Sequence, residues 1–151
     1  MLKGIDTRLG ADVLHALHSM GHGDMLVLVD TNFPADSVAR ATHTGRALAM
    51  PNLTSAEAVE AVLTLLPLDT FVDDFAARME VVDAPGEIPE VQREVQQAID
   101  AAEGRSRPMT GVERFAFYDM AKTAHTVIRT GERRFYGCFM LRKGVIAPDA
   151  Q

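Results

Sequence analysis

Met25-Leu26-Val27-Leu28-Val29 is an unbroken apolar run, entered through Gly21-His22-Gly23-Asp24 and left through Asp30-Thr31-Asn32. Five residues are too few for a helix, and the absence of polar alternation points to a strand buried on both faces. Such a strand belongs inside an α/β sheet. It places His22 in the loop before the sheet and Asp30 at the carboxyl end of the strand, where open α/β sheets present ligand-binding groups.

Working outward, Val13, Leu14, Leu17 and Met20 have helical spacing over Asp12 to Met20, with Gly21 where a left-handed C-cap would stop the helix. Downstream, Thr54 and Glu57 have capping-box spacing before an Ala/Val/Leu-rich helix to Leu66, stopped at Pro67, with Asp69 in the loop beyond. Arg78 to Val82 reads as a strand. Pro89 introduces a helix whose stripe is Val91, Val95, Ala98, Ile99 and Ala102, ended by Gly104.

The stretch from Gly104 to Met109 reads as a loop. Thr110 and Glu113 repeat the capping-box spacing before Phe115-Ala116-Phe117-Tyr118. Ala124 to Ile128 and Gly137 to Leu141 then read as strands, joined through Thr130-Gly131 and Glu132-Arg133-Arg134, and their closeness suggests an antiparallel pair in a mixed sheet. The expected architecture is a three-layer α/β/α domain spanning 1-151 with a mixed β-sheet.

The chain of 151 residues is 47% hydrophobic, enough for one core, and its net charge of -6 with no basic block argues against nucleic acid as a partner. There is no apolar run of membrane-spanning length, and Met1-Leu2-Lys3-Gly4 does not begin a secretory signal, so no membrane partner and a cytoplasmic location are expected. A single cysteine, Cys138, provides no disulfide framework and suits a reducing compartment.

His22, between two glycines in a loop, is the first candidate for acid/base chemistry, although a loop histidine is also at home as a surface residue. His15, His18 and His22 have a spacing that invites a metal reading, but Gly21 interrupts the helix and no cysteine lies nearby, so no metal is expected. Asp30 is equally readable as a ligand-binding carboxylate or a loop-capping residue, whereas Asp69, after Pro67-Leu68, reads by itself as a turn residue. Arg114 serves as a hydroxyl clamp or a surface ion-pair partner, and Tyr118 as a functional phenol or a helix-face aromatic. No phosphate loop, nucleophile elbow or dinucleotide turn is present.

The ordered segments Met20-Gly21-His22-Gly23-Asp24, Asp30-Thr31-Asn32-Phe33-Pro34-Ala35 and Leu65-Leu66-Pro67-Leu68-Asp69 resemble the ribose pyranase and L-fucose mutarotase family. The resemblance continues through Glu113-Arg114-Phe115-Ala116-Phe117-Tyr118, Thr130-Gly131-Glu132, Tyr136-Gly137 and Leu141-Arg142-Lys143-Gly144-Val145, and is strongest to the fucose branch. It implies a ribose-pyranase-like fold and cofactor-free interconversion of the anomers of a free monosaccharide such as L-fucose. It further implies a catalytic histidine at His22 and a catalytic tyrosine at Tyr118, with Asp30, Asp69, Arg114, Tyr136, Gly137 and Cys138 at sugar-contacting positions.

By the same resemblance the chain assembles into a ring oligomer, a decamer, with sites near subunit contacts. Where the fucose branch has Tyr-Gly-Asn, this chain has Tyr136-Gly137-Cys138, exchanging an amide for a weakly polar thiol and bearing on sugar choice. In the mechanism expected here, Asp30 orients the imidazole or accepts a sugar hydroxyl. The competing readings are ribose pyranose/furanose exchange, a non-catalytic monosaccharide-binding accessory protein and a purely structural oligomer.

Overall fold

The computed structural model describes residues 2–150; Met1, where the expected N-terminal reading begins, and Gln151 lie outside it. Strand β1, Met25–Val29, occupies the middle of a six-stranded sheet and has the boundaries its apolar run predicts. Its side chains alternate between two cores. Leu26 and Leu28 enter one with Ile128, Phe139 and Leu141, while Val27 and Val29 enter the other with Val127 and Met140. Each fully buried aliphatic side chain contributes about 1.5–3 kcal/mol, which explains why the central strand has no polar alternation.

The remaining strands are β2 (Leu48–Met50), β3 (Ala76–Met79), β4 (Thr110–Val112), β5 (Thr126–Thr130) and β6 (Phe139–Arg142), in the sheet order β2-β5-β1-β6-β3-β4. All neighbours run parallel except β6, which is antiparallel to both β1 and β3. The first core is covered by α1 (Ala11–Ser19), α3 (Ser55–Leu63) and α4 (Glu90–Glu103), the second by α2 (Ala35–Ala39) and α5 (Arg114–Lys122). This is the expected three-layer α/β/α arrangement with a mixed sheet.

Several local expectations are corrected. The last two strands do not pair: β1 lies between them, bonded in parallel to β5 and antiparallel to β6. Gly21 is not a left-handed cap; Met20 leaves α1 in an extended conformation, and Lys143 Nζ donates to the Leu17 and Met20 carbonyls at 2.8 and 2.6 Å, satisfying the helix end instead. Thr110 does not cap α5 but opens β4, opposite Ala77; Glu113 is the cap, its carboxylate accepting from the amides of Phe115 and Ala116. The third strand lies earlier than Arg78 to Val82 because the chain turns at Val81–Ala84, with Asp83 at φ 62°.

Two helices follow their sequence signals closely. The Thr54/Glu57 capping box is formed in both directions, although α3 ends three residues before Leu66. α4 begins after Pro89 and closes at Gly104, which adopts φ 64°.

Candidate functional site

His22 is carried on the loop into β1 and held by backbone contacts on both sides. Gly21 N donates to Asp24 Oδ2 at 2.7 Å, and Gly23, at φ 84°, donates to the Lys143 carbonyl at 2.8 Å. The positive φ at Gly23 is a conformation that side chains disfavour. The chain leaving β6 therefore runs beside the histidine loop and brings the Leu68-Asp69 segment with it: Asp69 N donates to the Arg142 carbonyl at 3.0 Å and Gly144 N to the Pro67 carbonyl at 2.8 Å.

Asp69 is buried and meets the half-exposed imidazole, with His22 Nε2 3.0 Å from Asp69 Oδ2. The other carboxylate oxygen accepts from Phe71 N at 2.9 Å, and Arg107 donates to the Asp69 carbonyl at 2.7 Å. The carboxyl is held below its ordinary range, first by the Phe71 amide and, against the opposing effect of burial, by His22. An ionised carboxylate only accepts, so Nε2 carries the hydrogen and, in the neutral ring, Nδ1 is the basic nitrogen. The Phe71 ring meets the imidazole edge-on, with centroids 5.6 Å apart.

At the other end of β1, Asp30 sits beneath a cavity of about 380 Å³ lined also by Phe33, Met79, Arg114, Tyr118, Tyr136 and Cys138. Its carboxylate accepts from Asn32 N and Phe33 N at 2.9 and 3.0 Å, from Gly137 N at 3.2 Å and from Cys138 Sγ at 3.5 Å. These four donors match the roughly four acceptor positions of a carboxylate. Asp30 thus ties the loop after β1 to the loop before β6, and a sugar hydroxyl reaching it shares an oxygen already engaged. Burial, reinforced by the Asp30 charge, pushes the Cys138 thiol well up, so the sulfur is a neutral donor. Gly137 is also engaged on both sides, its carbonyl accepting from Ser55 Oγ at 3.0 Å.

Arg114 and Tyr118 are one helical turn apart on α5, and Arg114 Nε donates to the Tyr118 hydroxyl at 3.2 Å, a contact that raises the guanidinium pKa. Phe33 packs against the Tyr118 ring with centroids 5.2 Å apart. Tyr136 reaches the same cavity from a left-handed backbone conformation, φ 62°, and its hydroxyl accepts from Val82 N at 3.3 Å.

The structure therefore gathers the sequence-derived residues into two groups. Asp30, Arg114, Tyr118, Tyr136 and Cys138 share one cavity, whereas His22 and Asp69 lie beyond the opposite end of β1, a strand that spans roughly 16 Å at ordinary strand rise. The expectation that Asp30 orients the imidazole is corrected: within the chain that carboxylate is Asp69. Sequence reasoning missed Phe71 and Arg107, which flank the dyad. Asp69-Thr70-Phe71 has the spacing of an aspartate that accepts the amide two residues on, a signal open to inspection; the Arg107 contact crosses 38 residues and has no local signature. Among the described residues no group of three or more His, Cys, Asp or Glu side chains is arranged to hold a metal, and no helix is long and apolar enough to cross a membrane.

Fucose mutarotase of Homo sapiens is 43% identical to the chain over 152 residues, covering 97% of this chain and 95% of its own. The crystal structure of protein Atu2016, for which sugar binding is a suggested role, superposes with a TM-score of 0.95 at 61% identity over 97% of each chain. Fucose mutarotase of Streptococcus pneumoniae in complex with L-fucose superposes with a TM-score of 0.87 at 32% identity, covering 97% of this chain and all of that one. The family model described as the RbsD / FucU transport protein family matches residues 3–146. With a match over nearly its whole length, the chain belongs to the RbsD / FucU family.

Proposed function

We propose that the protein is an L-fucose mutarotase, an isomerase that interconverts the α and β anomers of the free sugar. The observation that carries the reading is the exposed His22 imidazole backed by buried Asp69, in a chain whose relatives are named for this activity. Mutarotation requires a proton on the ring oxygen and removal of one from the anomeric hydroxyl. The bond between the anomeric carbon and ring oxygen then breaks, the aldehyde turns its other face, and the ring closes with the proton transfers reversed. Positioned acid and base groups each contribute about 10²- to 10⁴-fold to such a reaction, and no cofactor is needed.

In this reading His22 Nδ1 exchanges the proton, and Tyr118, held by Arg114, is the second proton-transfer group. The polar rim of Arg114, Tyr118 and Tyr136 suits sugar hydroxyls, and the apolar Phe33 and Met79 suit the methyl group of a 6-deoxy sugar. Because His22 and Tyr118 stand at opposite ends of β1, the active site takes its histidine from one copy of the chain and its tyrosine from a neighbour. A ring oligomer, proposed to be a decamer acting in the cytoplasm, supplies that juxtaposition.

The test is exchange NMR of the anomeric protons of L-fucose, with ribose and galactose alongside. Accelerated exchange of L-fucose anomers by wild-type protein, abolished in His22→Ala with the fold retained, is the expected result. Full activity in a folded His22→Ala variant, or no response from any sugar, overturns the reading. Faster ring-form exchange of ribose than anomer exchange of L-fucose would favour a ribose pyranase.

A further inference from the structure

Tyr136 is an aromatic residue in the left-handed region, a conformation that bulky side chains enter only where their surroundings impose it. Its carbonyl is held by Gln92, a polar side chain with no exposed surface on the buried face of α4. Gln92 Nε2 donates to the Tyr136 carbonyl at 3.1 Å and to the Met79 carbonyl at 2.7 Å, while its Oε1 accepts from Arg78 Nη1 at 3.3 Å. The amide orientation is determined by its partners, since two carbonyls can only accept and a guanidinium can only donate.

The geometry points to Gln92 as a positioning residue for the sugar cavity, one that holds Tyr136 in its left-handed conformation and locks it to the end of β3. This rests on the mutarotase reading for its substrate, but the placement of Tyr136 can be tested without turnover. The bonds that Gln92 donates reach the backbone of two residues that line the cavity, Met79 and Tyr136. Met79 N in turn donates to the Cys138 carbonyl at 3.1 Å, so β3, the loop before β6 and α4 are joined at this point. No hydrophobic residue of similar volume can replace the two donated bonds. Glutamate, the nearest isostere, would present a carboxylate to two carbonyls and be drawn to Arg78.

The test uses Gln92→Met and the isosteric Gln92→Glu in the full-length protein, with two readouts. Crystal structures of the variants are expected to show Tyr136 out of the left-handed region and its ring withdrawn from the cavity. Anomer-exchange kinetics with L-fucose are expected to show KM raised about ten-fold, the equivalent of one lost positioned contact, with kcat changed less than about two-fold. A merely structural role would lower the amount or melting temperature of folded protein without this split. If Tyr136 keeps a φ near its wild-type value in either folded variant, or KM is unchanged, the inference is wrong. Wild-type protein that exchanges no sugar anomers would instead defeat the mutarotase reading, and the backbone conformation of Tyr136 in the variants would still decide the role of Gln92.

Discussion

His22 Nε2 and Asp69 Oδ2 are 3.0 Å apart across 47 residues of sequence, joining a half-exposed ring to a buried carboxylate. The exposed partner is free to meet a substrate, and the buried one sets its tautomer. Asp69→Asn removes that control, because an amide can donate to Nε2 or accept from it and so supports either tautomer. The expected outcome is a fall in kcat of about 10²-fold with KM within a few-fold of wild type. Anomer-exchange NMR reads both, and an unchanged kcat would remove Asp69 from the mechanism.

The same carboxylate sets a pH dependence of stability. Its native pKa lies below the ordinary value, through the Phe71 amide first and then His22, so over the acid range the unfolded chain binds the proton more readily. The resulting stabilisation is fully present above about pH 4, the ordinary carboxylate range, and is lost as pH falls through the lower native value. Urea unfolding of wild type and Asp69→Asn at a series of pH values should show a stability gap that closes on the acid side. A gap of equal size at pH 7 and pH 3 would contradict it.

How much of this could be read from the sequence divides by range. β1 and the ends of α4 were legible because a five-residue apolar run, Pro89 and Gly104 each carry their cause locally. β2 was not, since Leu48-Ala49-Met50 is three residues long and is a strand only because β5 lies beside it. The pairing of β6 was misjudged for a related reason: nearness in sequence favours β5, but Leu26 and Leu28 offer a more central partner. At the site, family resemblance supplied the candidate residues, but where the fold would gather them was not legible. Asp30 and His22 flank one strand and lie close in sequence, yet the strand itself holds them apart. Gln92 did carry a signal, since it falls three and seven residues before Val95 and Ile99 on the apolar stripe, an amide where the pattern calls for a hydrocarbon.

Gly137 connects stability to the cavity. A Cβ at this position would stand 2.7 Å from Glu132 Cγ, 3.2 Å from Ser55 Oγ and 3.4 Å from Asp30 Cβ. Glu132 cannot readily retreat, being buried and bonded to Arg134 and to the Ser55 amide. Gly137→Ala should therefore destabilise by about 1–3 kcal/mol, as overpacking of a full site does. It should also loosen the bond from Gly137 N to Asp30. Denaturant midpoints measure the first effect and L-fucose titration the second; a variant as stable as wild type would show that the Glu132 side chain yields.

The distance between His22 and Tyr118 makes the strongest demand on assembly. If each active site draws these residues from different copies, His22→Ala and Tyr118→Phe subunits mixed in one oligomer regenerate sites in which both residues are intact. Random mixing in equal amounts in a closed ring gives about one quarter of sites the wild-type pair, so activity should return to about that fraction although each variant alone is nearly inactive. If both residues served a site within one chain, every site in the mixture would lack one of them and no activity would return. Co-refolding the two variants, verifying mixed oligomers by native mass spectrometry and measuring L-fucose anomer exchange separates the cases. Restored exchange requires a site shared between subunits, because neither variant chain carries both groups.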